Sequence, residues 1–224
     1  MILVFDLDDT LYDELSFVQS GFLKVAEYVN KTFGIDTESA YDIMHSELET
    51  NGRGKVFDTL LLKYKVYSKS AVGKCVSVYR LHTPEIELNP DAVRCLDRFK
   101  QFNKYIVTDG NKVVQRNKLN ALGLPPVMKK IFITHEYGKK NAKPSAYCFN
   151  LIAKLEKTPP GNIVYIADNP QKDFINIKKL GFKTVRICQG MFANLKLGYE
   201  YEAHFTINCL DQLTLSLIEK FTLA

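Results

Sequence analysis

The sequence predicts a doubly wound α/β domain, a Rossmann-like parallel sheet flanked by helices, into which an all-helical segment is inserted early. Three observations point there. Short apolar runs rich in β-branched residues recur beyond residue 100 and alternate with helix-length segments, the pattern of parallel strands buried on both faces. Between residues 13 and 89 no strand pattern occurs, and apolar residues recur at helical spacing. The charge divides at the same place: residues 13–89 carry 9 Lys and Arg against 11 Asp and Glu, and the rest of the chain carries 21 against 14.

Taken in order, the first strand is the apolar run MILVF, which leads straight into Asp6, Asp8 and Asp9. In ELSFVQSGFLKVAEYVN the positions Leu15, Val18, Phe22, Val25 and Val29 step by three and four, predicting an amphipathic helix. Further helices are predicted over about 37–49, 54–64 and 69–81, with breaks at Gly34, at NGRG and near Ser68. HTPEIELNP, with two prolines, reads as the linker back to the sheet. The remaining strands are YIVT (105–108), IFIT (131–134), IVYIA (163–167), TVRI (184–187) and HFTI (204–207). NKVVQRNKLNALG, PSAYCFNLIAKLEK and NPQKDFINIKKLG lie between strands as helix-length segments, and Gly123 and Gly181 suit left-handed C-terminal caps. The expected division is therefore a core of residues 1–12 plus 90–224 and a helical insert of 13–89.

Composition bounds the function. With 224 residues, 46% hydrophobic and 25% charged, the chain is long enough for one sizeable core and a smaller one. No run reaches the ~18 apolar residues of a membrane span, and the N-terminus lacks the pattern of a signal peptide, so a cytoplasmic protein without a membrane partner is expected. Five widely spaced cysteines without a C-x-x-C pair indicate neither a disulfide framework nor a zinc site, and His45, His82, His135 and His204 show no metal spacing. The net charge of +5 comes from scattered basic pairs without an aromatic-basic stripe, so no nucleic-acid partner is expected. Nothing in the pattern distinguishes a monomer from a dimer.

In a doubly wound sheet, ligands bind beyond the carboxyl ends of the strands. The polar signals of this chain fall there: Asp6 and Asp8 after the first strand, Thr108, Asp109 and Gly110 after the second, Lys143 before Pro144, and Asp168 and Asp173 after IVYIA. Any one such Asp can be an ordinary helix cap or turn residue. Caps alone do not explain several strand ends supplying carboxylates, a hydroxyl and a lysine to one edge. Three like charges as close as Asp6, Asp8 and Asp9 raise one another's cost of ionisation unless a cation sits among them.

The motifs DLDDT, VTDG, KPS and ADNPQKD, in that order and spread over the chain, resemble the four motifs of the haloacid dehalogenase-like hydrolases. The resemblance implies a Mg²⁺-dependent phosphatase in which Asp6 is the nucleophile. Asp8 would be the acid and base, with a pKa high enough to arrive protonated. Thr108, with the backbone N–H of Asp109, would hold the phosphoryl group, and Lys143 would balance the growing charge. Metal ligands would be Asp6, the backbone carbonyl of Asp8 and Asp168, with Asp173 a ligand through water or a brace. Asp9 would point away and brace the turn. Ala167 and Asp109 depart from the Gly and Asn common in the family; Asp109 would add negative charge beside the phosphate.

The resemblance also makes the insert a cap of the early kind, closing on a small phosphorylated metabolite such as a sugar phosphate or nucleotide. Arg53 and Lys55, in the NGRGKVF turn, and Arg80 are candidates for substrate specificity, while His82 reads as structural. Asp8 favours phosphoester hydrolysis over dehalogenation, since a halide leaves without a proton. A phosphomutase or a non-catalytic binding module of the same fold are the alternatives.

Overall fold

The computed structural model describes residues 1–220. The chain forms two compact units, Leu15–Ile86 and, around it in sequence, Met1–Glu14 with the chain from Glu87 onward.

The larger unit is built on a six-stranded parallel sheet in the order β3-β2-β1-β4-β5-β6. Its strands are β1 (Ile2–Phe5), β2 (Asn103–Thr108), β3 (Lys130–Ile133), β4 (Ile163–Ala167), β5 (Lys183–Ile187) and β6 (Phe205–Ile207). Every residue of β1 and β4 is buried, as continuous apolar runs between two helical layers require. Its helices are α5 (Pro90–Arg98), α6 (Lys112–Ala121), α7 (Tyr147–Glu156), α8 (Ile175–Lys179) and α9 (Leu215–Glu219). One hydrophobic core cluster joins Val4, Tyr105, Val107, Phe132, Phe149, Ile152, Tyr165, Phe174 and Phe182.

Register positions the strand ends. Phe5 pairs with Ile106 on one side and Ile166 on the other, and Asp6 N–H donates to the Ile166 carbonyl at 2.9 Å. Asp6 is thus level with Val107 and Ala167, one residue short of Thr108 and Asp168. Gly123 and Gly181 adopt positive φ, 64° and 89°, where the sequence calls for left-handed caps. The NPQKDFINIKKLG segment differs from expectation, since only Ile175–Lys179 is helical. Asn169 and Asp173 compete for the backbone there: Asn169 Oδ1 accepts from Gln171 N–H at 3.0 Å and Asp173 Oδ2 from Asn169 N–H at 3.1 Å.

The smaller unit contains α1 (Glu14–Phe33, whose first residue belongs to the sheet unit), α2 (Thr37–Asn51), α3 (Val56–Lys63) and α4 (Lys69–Leu81). Val18, Phe22, Val25 and Val29 face its core as the periodicity predicts, whereas Leu15 is exposed. Asp36 and Ser68 cap α2 and α4 by accepting from Ser39 N–H at 2.9 Å and Ala71 N–H at 3.0 Å. Helix α1 approaches α4 at Gly21, where a Cβ would come within 2.5 Å of the Tyr79 ring. No helix among the described residues is long and apolar enough to cross a membrane.

Candidate active site

At the carboxyl edge of the sheet, Asp6, Asp168 and Asp173 bring one carboxylate oxygen each within 4.8 Å of one another, and all three are buried. Asp6 follows β1 directly and its Oδ1 accepts from Leu7 N–H at 2.8 Å. Lys143 reaches in from the segment before α7, placing Nζ 2.8 Å from Asp6 Oδ2 and 2.8 Å from Asp173 Oδ1. Tyr165, from β4, accepts from Lys143 Nζ at 2.9 Å and donates to Asp173 Oδ1 at 3.1 Å.

The electrostatics follow from burial and crowding. Burial, reinforced by Asp6 and Asp173, pushes the Asp168 carboxyl up to about 9. Burial also raises Asp6, but Lys143 pulls it back, and it stands at about 6. Burial works against the Lys143 charge, yet Asp173 and Asp6 outweigh it and hold the ammonium well above its usual range. One ammonium contacts two of the three carboxylates, so the cluster remains short of positive charge, and an all-oxygen donor set suits a hard divalent cation such as Mg²⁺. Asp6, Asp168 and Asp173 are the side chains that would hold it.

Asp8 does not turn into this cluster. Its Oδ1 lies 2.6 Å from Lys118 Nζ and accepts from Tyr12 OH at 2.6 Å, and its Oδ2 accepts from Gln115 Nε2 at 2.9 Å. Burial alone would raise Asp8, but Lys118 and the hydrogen bonds from Lys118, Tyr12 and Gln115 prevail and lower it below the usual carboxylate value. This corrects the expectation of a high pKa at Asp8. The countercharge sits on α6, 110 residues away in sequence, outside every motif.

Thr108 ends β2, is buried, and accepts from Gln115 Nε2 at 2.7 Å, which leaves its own proton to donate elsewhere. The Asp109 carboxylate is occupied by the protein: Oδ1 accepts from Thr134 Oγ1 and from Lys143 N–H at 3.1 Å, and Oδ2 lies 3.7 Å from Lys172 Nζ. Through these contacts Asp109 braces the Lys143 segment.

A family model of the haloacid dehalogenase-like hydrolases matches residues 1–181. The chain belongs to this family. Among curated relatives, a protein of Methanocaldococcus jannaschii named glyceraldehyde 3-phosphate phosphatase is 29% identical over 225 residues, covering 94% of each chain. A protein of Pyrococcus furiosus with the same name is 26% identical, covering 98% of this chain and 93% of that one. These names agree with the expected phosphatase class. A crystal structure of 2-haloacid dehalogenase from Pseudomonas syringae superposes with a TM-score of 0.66 at 18% identity, covering 98% of this chain and 99% of that one. At that identity the likeness concerns the haloacid dehalogenase-like fold alone.

Of the residues named from the motifs, the fold gathers Asp6, Lys143, Asp168 and Asp173 in one cluster, with Thr108 and Asp8 joined through Gln115. Arg53, Lys55 and Arg80 belong to the helical unit, where all three are exposed. His82 is buried, its Nδ1 2.6 Å from the Tyr79 carbonyl oxygen, in keeping with a structural role. Sequence reasoning missed Tyr12, Gln115, Lys118, Tyr165 and Lys172. The one available signal was the spacing of Gln115 and Lys118, three apart and hence on one helix face.

Proposed function

We propose that this chain is a Mg²⁺-dependent phosphomonoesterase acting on a small phosphorylated metabolite, with a triose phosphate such as glyceraldehyde 3-phosphate as the first candidate. The substrate is suggested by the names of the curated relatives. The mechanism rests chiefly on the ion pair of buried Asp6 with Lys143 inside a three-carboxylate cluster.

Asp6 attacks phosphorus, an Asp6 O–P bond forms, and the bond from phosphorus to the leaving oxygen breaks with its electron pair on that oxygen. Asp8, ionised at rest, takes up a proton from solvent as the anionic ester binds and gives that proton to the leaving oxygen. As carboxylate, the state that Lys118 favours at rest, it then takes a proton from the water that attacks the aspartyl-phosphate. That attack returns Asp6 and liberates inorganic phosphate. Lys143 holds Asp6 ionised and in place and offers positive charge to the phosphoryl oxygens, and Thr108 donates its hydroxyl to one of them. A bound Mg²⁺ would supply charge neutralisation between the attacking carboxylate and the anionic ester.

The presence of Asp8 favours an ester over a haloacid, because an alkoxide needs a proton to leave and a halide does not. The helical unit would act as a cap, with Arg53, Lys55 and Arg80 as candidate contacts to the leaving group.

Phosphate release from glyceraldehyde 3-phosphate and a panel of metabolite phosphates, with Mg²⁺, tests the reading. Wild type is expected to favour one or a few small esters, and Asp6→Asn to release nothing. A wild type inactive on every member would discard the phosphatase and leave a phosphomutase or a binding module.

A further inference from the structure

Asp8 is held from several sides, and two of the contacts come from one face of α6. Lys118, with a side chain only 3% exposed, places Nζ 2.6 Å from Asp8 Oδ1 and 3.5 Å from Glu14 Oε1. One turn earlier, Gln115 donates through the same Nε2 to Asp8 Oδ2 at 2.9 Å and to Thr108 Oγ1 at 2.7 Å. A single amide thus joins the acid to the hydroxyl beside the phosphoryl position. The helix that carries both residues is anchored at its start, where Asn111 Oδ1 accepts from Val113 N–H at 2.9 Å and Val114 N–H at 3.4 Å. A buried lysine could serve only to neutralise a buried acid. That role would not call for a glutamine, itself 2% exposed, to tie the same acid to Thr108.

We infer that Lys118 and Gln115 are positioning residues for phosphoryl transfer, holding the Asp8 carboxyl beside Thr108, from where it meets the departing oxygen. The inference rests on the reading of Asp8 as proton donor. As the bond to the leaving oxygen breaks, its electron pair stays on that oxygen and the Asp8 proton joins it. A misaimed carboxyl leaves an alkyl ester to expel a bare alkoxide, whereas p-nitrophenolate departs without a proton. Positioning of Asp8 therefore matters for alkyl esters and hardly for p-nitrophenyl phosphate.

The test compares kcat/KM for the two kinds of ester, since this ratio covers the steps through leaving-group departure and excludes later hydrolysis of the aspartyl-phosphate. Wild type, Lys118→Met, Lys118→Arg and Gln115→Met are assayed with Mg²⁺ on glyceraldehyde 3-phosphate, or the best alkyl monoester of the panel, and on p-nitrophenyl phosphate. Lys118→Met is expected to lose about 10²-fold on the alkyl ester and less than about threefold on the aryl ester, the span of a general-acid contribution. Lys118→Arg should recover most of the alkyl activity. Gln115→Met, which keeps the length of the side chain but also removes the partner of Thr108, should lose some activity on both esters and clearly more on the alkyl one, and it decides the matter if Lys118→Met does not fold. Equal losses on both esters, or no loss on either, in folded variants would overturn the inference. A failed phosphatase reading looks different: the wild type itself releases no phosphate from any ester, and the inference falls with it.

Discussion

The ammonium of Lys143 lies 2.8 Å from the Asp6 carboxylate, with both side chains all but withdrawn from solvent. A buried ion pair is weak as a source of stability, but removing one partner strands the other's charge. Here removal of Lys143 strands two, Asp6 and Asp173.

Lys143→Met is therefore expected to lower stability by about 3–5 kcal/mol in metal-free buffer and kcat by about 10²-fold or more. Mg²⁺ should restore much of the stability and little of the rate, because it replaces the charge and not the ammonium's reach. Urea unfolding with and without Mg²⁺, beside steady-state kinetics, checks both. An unchanged midpoint would contradict the role given to the pair.

The carboxylate cluster carries a pH signature. Asp168 and Asp6 stand at about 9 and about 6 in the fold, against 3.8 for an ordinary aspartate. Raised values mean that the folded state holds protons the unfolded chain has shed, so this contribution to stability is complete below the ordinary value and is lost as pH rises through the folded ones. Metal-free protein should thus melt at lower temperature as pH climbs from about 6 to about 9, and Mg²⁺ should raise Tm more at about pH 8.5 than at about pH 6. Scanning calorimetry at both pH values would decide, and a metal effect that shrinks with rising pH would refute the assignment.

Asp9 braces the turn after β1, at a φ of 50°. Its Oδ1 accepts from Glu14 N–H at 2.9 Å and its Oδ2 from Met191 N–H at 3.3 Å, while its carbonyl oxygen accepts from Gln189 Nε2 at 2.9 Å. Asp9→Ala should cost about 1–3 kcal/mol of stability through two unmet N–H groups, with kcat/KM of the folded variant close to wild type. A large loss of turnover at unchanged stability would make Asp9 part of the chemistry.

Arg53 offers a further contrast. If it grips a second anion on the leaving group, Arg53→Ala should raise KM about tenfold or more for a bisphosphate or a phosphorylated acid, the weight of a charge-assisted hydrogen bond. For a triose monophosphate, which has no second anion, KM should stay unchanged. Equal effects on both substrate kinds would deny Arg53 a part in selecting between them.

Much of the sheet unit was legible because its physics is local. Strands buried on both faces must be continuously apolar, and the ligand edge of a parallel sheet must take its acids from residues just past each run, so ILVF–Asp6, YIVT–Asp109 and IVYIA–Asp168 announce themselves. The helical insert declared itself through its three-and-four spacing, although Leu15 fits that stripe and lies exposed. The truncated α8 was hidden because its segment has helical length and periodicity, while the Asn169 and Asp173 side chains capture the backbone that a helix would need.

The sequence by itself determined the alternation of elements, the order of the four motifs and which acids stand just past the strands, all properties of neighbours in the chain. Only the tertiary structure decided the company those acids keep. Whether Asp8 meets Lys118 and Gln115, 110 and 107 residues away, depends on how α6 settles against the sheet. No local pattern records that contact, because a lysine on a helix face reads as solvated until packing buries it. Its charge then reverses what burial alone would do to the proton on Asp8.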